Sequence, residues 1–311
     1  MDVFPSTGPH LHIVLNHFPL IGSIFVLGLL ITSAYMKNDD MRRVSLILFV
    51  VLGLLAIPTY ITGAAAGWAY QGRADMSTQL LDAHRDAALL AFIFLGLTGT
   101  ASWLVLWRER RYGRASSAGL YTVLALGFVA LLTIVEAGSL GGTVLRPELR
   151  EGAMAEAMGL TAGIEAAIQS IIWAWPSMEA VHFVGMAVLF GVVLLVGLRV
   201  LGVARNVPYS AVHRLLPLGA LALLVNIVTG MFFFIADSGR YVAMDGFPPK
   251  IMWLLVGGLA IIYFTIFDDI WDVKSDQDAP PRAKVMAALT MVSWAAVLVF
   301  GRLLPYYGDG G

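Results

Sequence analysis

The sequence predicts an all-α integral membrane protein in which eight transmembrane helices form two fused four-helix bundles. The first observation is composition, because 59% of the 311 residues are hydrophobic and 13% are charged, whereas about a quarter of a soluble domain is charged. The second is the recurrence of apolar runs, each long enough to cross a hydrocarbon core of about 30 Å. The third, a net charge of −1, argues against nucleic acid as a partner, and the apolar composition makes membrane lipid the expected surroundings.

The eight apolar runs fall into two groups of four. They give two bundles, residues 1–143 and 178–311, joined by an external connection at residues 144–177. Pro58 and Pro217 lie inside predicted spans, where neighbouring helices can satisfy the backbone groups that proline frees. We place the spans near residues 13–36, 43–66, 84–107, 118–141, 178–199, 212–236, 249–268 and 284–304.

Basic residues are shared unequally between the two ends of these helices. Thirteen of the 20 lysines and arginines lie on the side reached after spans one, three, five and seven. Because cytoplasmic loops are enriched in lysine and arginine, both chain termini are predicted to lie outside, which in a bacterial inner membrane is the periplasm. The thirteen are Lys37, Arg42, Arg43, Arg108, Arg110, Arg111, Arg114, Arg199, Arg205, Arg214, Lys274, Arg282 and Lys284.

The connection between the bundles carries its own helical pattern. Two stretches rich in alanine and glutamate, Glu151–Met158 and Ile164–Ile172, predict short helices. Trp173 and Trp175 follow them and suit the headgroup region of a bilayer. We therefore expect the connection to lie along the outer membrane–water interface.

The two bundles resemble a diverged repeat. His17 begins span one as His182 begins span five, and Thr62 near the end of span two corresponds to Thr229 near the end of span six. The spacings are similar, with 45 positions from His17 to Thr62 and 47 from His182 to Thr229. Because each half has an even number of spans, the repeats are predicted to be parallel, related by an axis along the membrane normal.

The first bundle is predicted to hold one haem b. The chain has no cysteine, which excludes thiolate-held iron–sulfur clusters and covalent c-type haem. His17 and His84 begin spans one and three, which are diagonal neighbours running in the same direction in an up-down-up-down bundle. Two imidazoles that face each other across a bundle core are the ligand set of a low-spin haem b. We therefore predict His17 and His84 as the iron ligands, near the periplasmic face.

Small and basic residues around these histidines are predicted to complete the site. Gly63, Gly67 and Ala88 leave room beside the imidazoles and let a porphyrin approach the helices. Arg73 and Arg85 lie at the same outer end and are predicted to pair with the haem propionates.

The second bundle differs where the first has room. Met231–Phe234 replaces the small residues, and Lys250 stands at the repeat position of His84. A protonated ammonium cannot bind iron, so we expect no haem in this bundle. His182 is the candidate ligand if a second iron is present, with Met252 as the competing sixth ligand.

Other polar residues leave alternatives open. His10 and His17 are seven positions apart and are expected to share a helix face, with His12 pointing elsewhere. A copper site built from His10, His12 and a methionine is an alternative to haem. Glu136, an intramembrane carboxylate, is a candidate for proton handling or for orienting a ligand histidine.

Two resemblances agree with this division. His17-Phe18-Pro19, His84 and Gly141-Gly142 resemble a family of uncharacterised bacterial four-helix membrane proteins thought to be cytochrome-b-like, over about residues 8–147. About residues 177–304 resemble a second uncharacterised bacterial membrane family. The motifs of the second resemblance are His182-Phe183, Leu216-Pro217, Thr229-Gly230 and Phe247-Pro-Pro-Lys250. Members of the first family often continue past the double glycine with a further histidine, which this chain lacks.

The resulting hypothesis is a membrane electron-transfer subunit of an oxidoreductase complex. It would link a periplasmic or membrane redox protein to the quinone pool or to another redox subunit. One alternative is a two-repeat transporter or channel, against which the scarcity of midspan polar residues such as Asn226 argues. The other is a cofactor-free scaffold of a larger membrane complex.

Overall fold

The computed structural model describes residues 7–113, 116–146, 157–203, 205–267, 270–272 and 277–307. Every regular element within these ranges is helical, and eight helical segments are long and apolar enough to cross a membrane. The predicted all-helical class and number of candidate spans are therefore confirmed.

The helices are longer than the apolar runs from which they were predicted. Two of the eight segments contain a short break, so that α1 with α2 makes the first and α8 with α9 the sixth. A π-helical turn, Tyr263–Phe267, extends α11. The helices are α1 (Gly8–Leu15), α2 (His17–Met36), α3 (Asp39–Ala69), α4 (Thr78–Tyr112), α5 (Ser117–Val144), α6 (Leu160–Ser170), α7 (Ala174–Leu201), α8 (Tyr209–His213), α9 (Leu216–Ala236), α10 (Ser238–Ala243), α11 (Phe247–Ile262) and α12 (Pro281–Tyr307).

Capping side chains explain where several helices begin. Asn38, Ser77 and Ser116 each accept a hydrogen bond from a backbone N–H in the first turn of α3, α4 and α5, as N-cap residues do. The cap at Ser77 starts α4 six residues before the predicted start of span three. His84 consequently lies in the second turn of α4 instead of at its mouth.

The chain divides into two compact units, Met1–Gly163 and Ile164–Gly311. In the first unit α3 packs on α4, α4 on α5, and α2 on both α3 and α5, while α1 packs on α3. In the second unit α7 packs on α9 and α12, and α11 packs on α12. These pairings place α1 beside the C-terminal part of α3, where the candidate site lies.

Part of the predicted connection lies within the described residues. The predicted helix Ile164–Ile172 corresponds to α6, which begins four residues earlier. Trp173, at its end, is 73% exposed. Most of the predicted helix Glu151–Met158 lies outside the described residues, as do two of the basic residues used for orientation, Arg114 and Lys274.

Candidate functional site

The first two helices, α1 and α2, turn one face toward the other helices of the first unit and the opposite face away from them. His12, Pro19, Val26 and Ser33 follow each other at intervals of seven, and the last three are buried while His12 is partly buried. Gly8, one turn before His12, is so close to α3 that a Cβ built on it would lie 2.9 Å from Cβ of Ala65. His12 therefore belongs to the packed face.

His17 belongs to the opposite face. It is exposed, and its Nδ1 donates to the backbone oxygen of Ile13 on the preceding helix α1, 2.7 Å away. Ile24 and Ile31, seven and fourteen positions later, are 54% and 55% exposed. The expectation that His17 faces inward while His12 points elsewhere is thus reversed, because the packed face of α2 carries its serines and Pro19 while its exposed face carries its isoleucines.

His12 lies against a proline-containing turn of α3. Its Nδ1 is 3.1 Å from the backbone oxygen of Thr59, and a Cβ built on Gly63 would lie 2.9 Å from its Cε1. Pro58 lacks an N–H, and the Thr62 hydroxyl donates to the carbonyls of Pro58 and Thr59 at 2.8 and 3.1 Å. A carbonyl oxygen has two lone pairs, so the Thr59 carbonyl can accept from the His12 imidazole as well as from its own helix.

His84 makes the same contact with α5. Its Nδ1 is 2.8 Å from the backbone oxygen of Ala137, and a Cβ built on Gly141 would lie 2.9 Å from its Cε1. In both cases the accepting carbonyl belongs to residue i and the glycine to residue i+4 of the neighbouring helix. Without a side chain at i+4, the imidazole can lie flat on the helix and reach the carbonyl.

These hydrogen bonds fix the tautomer of both histidines. A carbonyl oxygen only accepts, so Nδ1 of His12 and His84 carries a proton, and in the neutral imidazole Nε2 carries the lone pair. Within the described ranges, Nε2 of neither imidazole has a hydrogen-bond partner. Neutral imidazole with Nδ1–H bonded to a carbonyl and Nε2 available is the usual state of a metal-ligating histidine.

The two imidazoles also lie in one neighbourhood. They belong to the same compact unit, where α1 with His12 packs on α3 and α3 packs on α4 with His84. No group of three or more His, Cys, Asp or Glu in the described part of the chain could hold a metal ion.

Some of the other residues predicted for this site lie beside the histidines, and others do not. Gly63 backs His12, whereas Gly67 faces Leu81, whose Cδ1 would lie 3.8 Å from an added Cβ. Ala88 is partly buried and packs with the small residues at the contact of α4 with α5. Glu136 is exposed on the outside of α5.

The two arginines predicted to bind propionates differ in their availability. Arg73 makes a two-pronged ion pair with Asp75, at 2.9 and 2.6 Å, and this pairing raises the pKa of Arg73. Arg85 directly follows His84 and lies 3.7 Å from Asp82, beyond hydrogen-bond distance. Arg85 is thus the arginine whose guanidinium can still take an anionic partner.

His10 is separated from His12 by the helix itself. Residues two apart diverge by about 200° around an α-helix, and His10 is exposed while His12 lies on the packed face. The structure therefore does not bring together the two histidines of the copper alternative.

Asp86, which the sequence argument did not single out, is buried on α4 two residues after His84. Its side-chain oxygens accept from the backbone N–H groups of Leu160 and Thr161, at 3.2 and 2.8 Å. It is 2% exposed and caps the first turn of α6 from another helix. Its position inside an apolar run was the available signal, because a buried carboxylate needs several donors.

The second unit contains a related pair of contacts. The Thr229 hydroxyl donates to the Val225 carbonyl at 2.7 Å and therefore accepts from Nδ1 of His182, 2.6 Å away. Phe233 meets the same imidazole edge-on, with ring centroids 5.6 Å apart. His182 is thus hydrogen-bonded, and Phe233 packs beside it.

Lys250 in the second unit corresponds to His84 in the first, because each lies against a glycine of the neighbouring helix. A Cβ built on Gly301 of α12 would lie 3.6 Å from its Nζ, and a Cβ on Gly230 would lie 3.7 Å from Cε1 of His182. His12 and His84 in the first unit, like His182 and Lys250 in the second, therefore each lie against a glycine of a neighbouring helix. By its contacts with a Thr-Gly pair, His182 corresponds to His12, whereas the sequence repeat matched it to His17.

Comparisons with protein-family models, with curated proteins and with solved structures find no match to this chain. The two family resemblances therefore remain predictions, and the functional argument depends on the geometry of the described residues.

Proposed function

We propose that the first unit binds one haem b through Nε2 of His12 and Nε2 of His84 and serves in membrane electron transfer. The observation that carries this proposal is the matched geometry of the two imidazoles. Each is held by an Nδ1–H bond to a backbone carbonyl and by a glycine on the neighbouring helix. His12 takes the place that the sequence argument gave to His17.

The protein groups would set the properties of such a centre. Bound haem supplies one-electron chemistry, and bis-imidazole ligation without cysteine is a known ligand set for it. The carbonyls of Thr59 and Ala137 orient the rings and increase their basicity, which favours ferric iron. Arg85, at the outer end of α4, is placed to pair with a propionate.

The proposed arrangement in the membrane follows from the sequence. The distribution of basic residues supports outside termini, and two four-span groups support fused bundles related as a parallel repeat. The haem would then lie near the periplasmic face of a bacterial inner membrane. A periplasmic or membrane redox protein would deliver or accept electrons, with the quinone pool or another redox subunit as the other partner, so the chain would be a subunit of an oxidoreductase complex.

Absorption spectra of purified variants test the ligand assignment. His12→Ala and His84→Ala should each remove the reduced-minus-oxidised haem signal or convert it to high spin, because one axial ligand is lost. His17→Ala and His213→Ala are matched controls, since His17 is exposed and His213 stacks on Trp271, and both should retain the wild-type spectrum.

Two results would contradict this proposal. A wild-type protein that carries no haem after expression with adequate haem supply would exclude it. Loss of the signal in His17→Ala with an unchanged spectrum in His12→Ala would return the assignment to the pair predicted from sequence.

A further inference from the structure

We propose that the gap between α9 and α11 of the second unit holds one hydrocarbon chain of a membrane lipid. This site is separate from the proposed haem and depends only on how the second unit is packed. It is indicated by a missing helix–helix contact, by an apolar cavity between the two helices and by a π-helical turn in the cavity wall.

The two units differ in how completely their long helices close around the interior. In the first unit α2, α3, α4 and α5 form a closed ring, in which each helix packs on the next and α5 packs on α2. In the second unit α9 packs on α7, α7 on α12 and α12 on α11. Within the described residues, however, α9 and α11 make at most marginal contact with each other, although the short helix α10 packs on both. The second ring is therefore open along one side.

A cavity of about 30 Å³ lies inside this open ring. Residues of α7, α9 and α12 line it together with the end of α11 and its π-helical turn. All of the lining residues are buried except Ala220 of α9 and Ile261 of α11, which are partly buried. The least buried part of the wall is thus formed by the two helices that flank the gap.

The lining of the cavity excludes polar ligands. Apart from Thr290 it consists of glycine, aliphatic side chains and Phe264, and the Thr290 hydroxyl donates to the Met286 carbonyl at 2.7 Å. Apolar cavities stay dry, and this volume has room for about two water-sized spheres. A methylene segment of a lipid chain fits both the chemistry and the width, whereas a head group is too polar and an aromatic ring too large.

The π-helical turn Tyr263–Phe267 shapes the wall that α11 contributes. Phe264 lies in this turn and lines the cavity. The Thr265 hydroxyl donates to the Ile261 carbonyl at 3.1 Å. The Trp271 indole donates to the Phe264 carbonyl at 2.8 Å. Side chains therefore hold the turn in place, and such turns are rare and frequently lie at functional sites.

The depth of the cavity also suits a hydrocarbon chain. Its lining residues come from the second halves of the spans of α7 and α11 and from the first halves of α9 and α12, so the cavity lies within the candidate spans. At this depth the surroundings are lipid chains. Leu224, one turn after Ala220 on the same face of α9, is 40% exposed. It continues the apolar wall of the gap beyond the cavity.

Photolabelling of the full chain in lipid nanodiscs tests the proposal. The probe is a phosphatidylethanolamine with a diazirine in one acyl chain, and mass spectrometry locates its adducts. We expect adducts on Val193 and Thr290, which line the cavity and are 7% and 5% exposed, so that lipids passing over the surface do not reach them. The same phospholipid with the diazirine on its head group should not label these residues. Leu221, which is 58% exposed, should be labelled by the acyl probe in every variant and so controls for delivery.

Filling the opening should expel the chain. Ala220→Leu should reduce acyl labelling of Val193 and Thr290 by about tenfold or more, because the larger side chain displaces about two methylene groups and each contributes about fourfold to affinity. Ala288→Leu makes the same change at an exposed position of α12 and should label as wild type. Ile261→Phe narrows the gap from α11 and gives the same test if Ala220→Leu loses helix content.

Three results would overturn the proposal. The first is the absence of acyl adducts on Val193 and Thr290 in wild-type protein, since protein, a small apolar molecule or nothing would then occupy the gap. The second is equal labelling of these residues by the acyl and head-group probes. The third is labelling that is unchanged in both Ala220→Leu and Ile261→Phe.

Discussion

At the residue scale, the glycine beneath each imidazole decides whether the histidine can reach its carbonyl. An added Cβ on Gly63 or Gly141 would lie 2.9 Å from the Cε1 of His12 or His84, closer than unstrained side chains pack. Gly142, the next residue in α5, has nothing within 4 Å of an added Cβ. The double glycine Gly141-Gly142 thus contains one position that contacts the site and one that does not.

Gly141→Ala should displace His84 and lengthen its bond to the Ala137 carbonyl. Loss of that bond makes the imidazole less basic, so the haem potential should rise, on the order of 40 mV for a bond worth about 1 kcal/mol. Redox titration measures the shift, and Gly142→Ala is the matched control because alanine raises helix propensity equally at both positions. Equal potentials in Gly141→Ala and wild type would show that the contact does not tune the centre.

The residues of the site were predictable to different degrees. His84 and Gly63 could be inferred because the histidine lies near the start of a span and small residues leave room beside it. His12 could not be chosen from its spacing to His10 and His17 alone. The residues that follow His12 at intervals of seven, from Pro19 to Ser33, are buried and show that His12 is on the packed face. Serine and proline mark this face, and isoleucine marks the exposed one.

At the element scale, the connection is anchored to the first unit by a side chain of α4. The carboxylate of Asp86 satisfies N–H groups at the start of α6, which is separated from it by 74 and 75 positions. Gly159 precedes them with a φ of +70°, a left-handed conformation that favours glycine. Hydrophobic periodicity predicts that α6 exists but carries no information on this long-range cap.

Asp86→Asn should loosen the start of α6 without unfolding the bundle. It removes the charge, and each hydrogen bond to a charged group contributes about 1.5–3 kcal/mol. Hydrogen–deuterium exchange of residues 159–165 should accelerate by about tenfold or more, while helix content stays at the wild-type value. Asp82→Asn is the control, because its carboxylate is 58% exposed and contacts Arg85 only at 3.7 Å, beyond hydrogen-bond distance. Equal exchange in wild type and Asp86→Asn would contradict the role of Asp86 as an anchor.

At the scale of the whole molecule, the two units use one contact pattern with different chemistry. Both place a histidine on a Thr-Gly pair and a second nitrogen-bearing side chain on a glycine of the last helix, but the second is His84 in one unit and Lys250 in the other. Apolar runs predict the spans because burial in lipid imposes a length and a composition. They cannot predict which histidine faces inward, because that depends on packing between helices.

The sidedness of reduction tests the proposed topology and the site together. His12 and His84 both lie near the ends of helices that the basic residues assign to the outside, so an added reductant should reach the haem from the periplasmic side. A membrane-impermeant reductant should therefore reduce the haem faster in right-side-out vesicles than in inside-out vesicles prepared from the same cells. Detergent should abolish the difference, which controls for haem that is intrinsically slow to react. Faster reduction in the inside-out vesicles would mean that either the orientation or the position of the haem is reversed, and His84→Ala would then decide between them, since it removes the signal only if the site is correctly assigned.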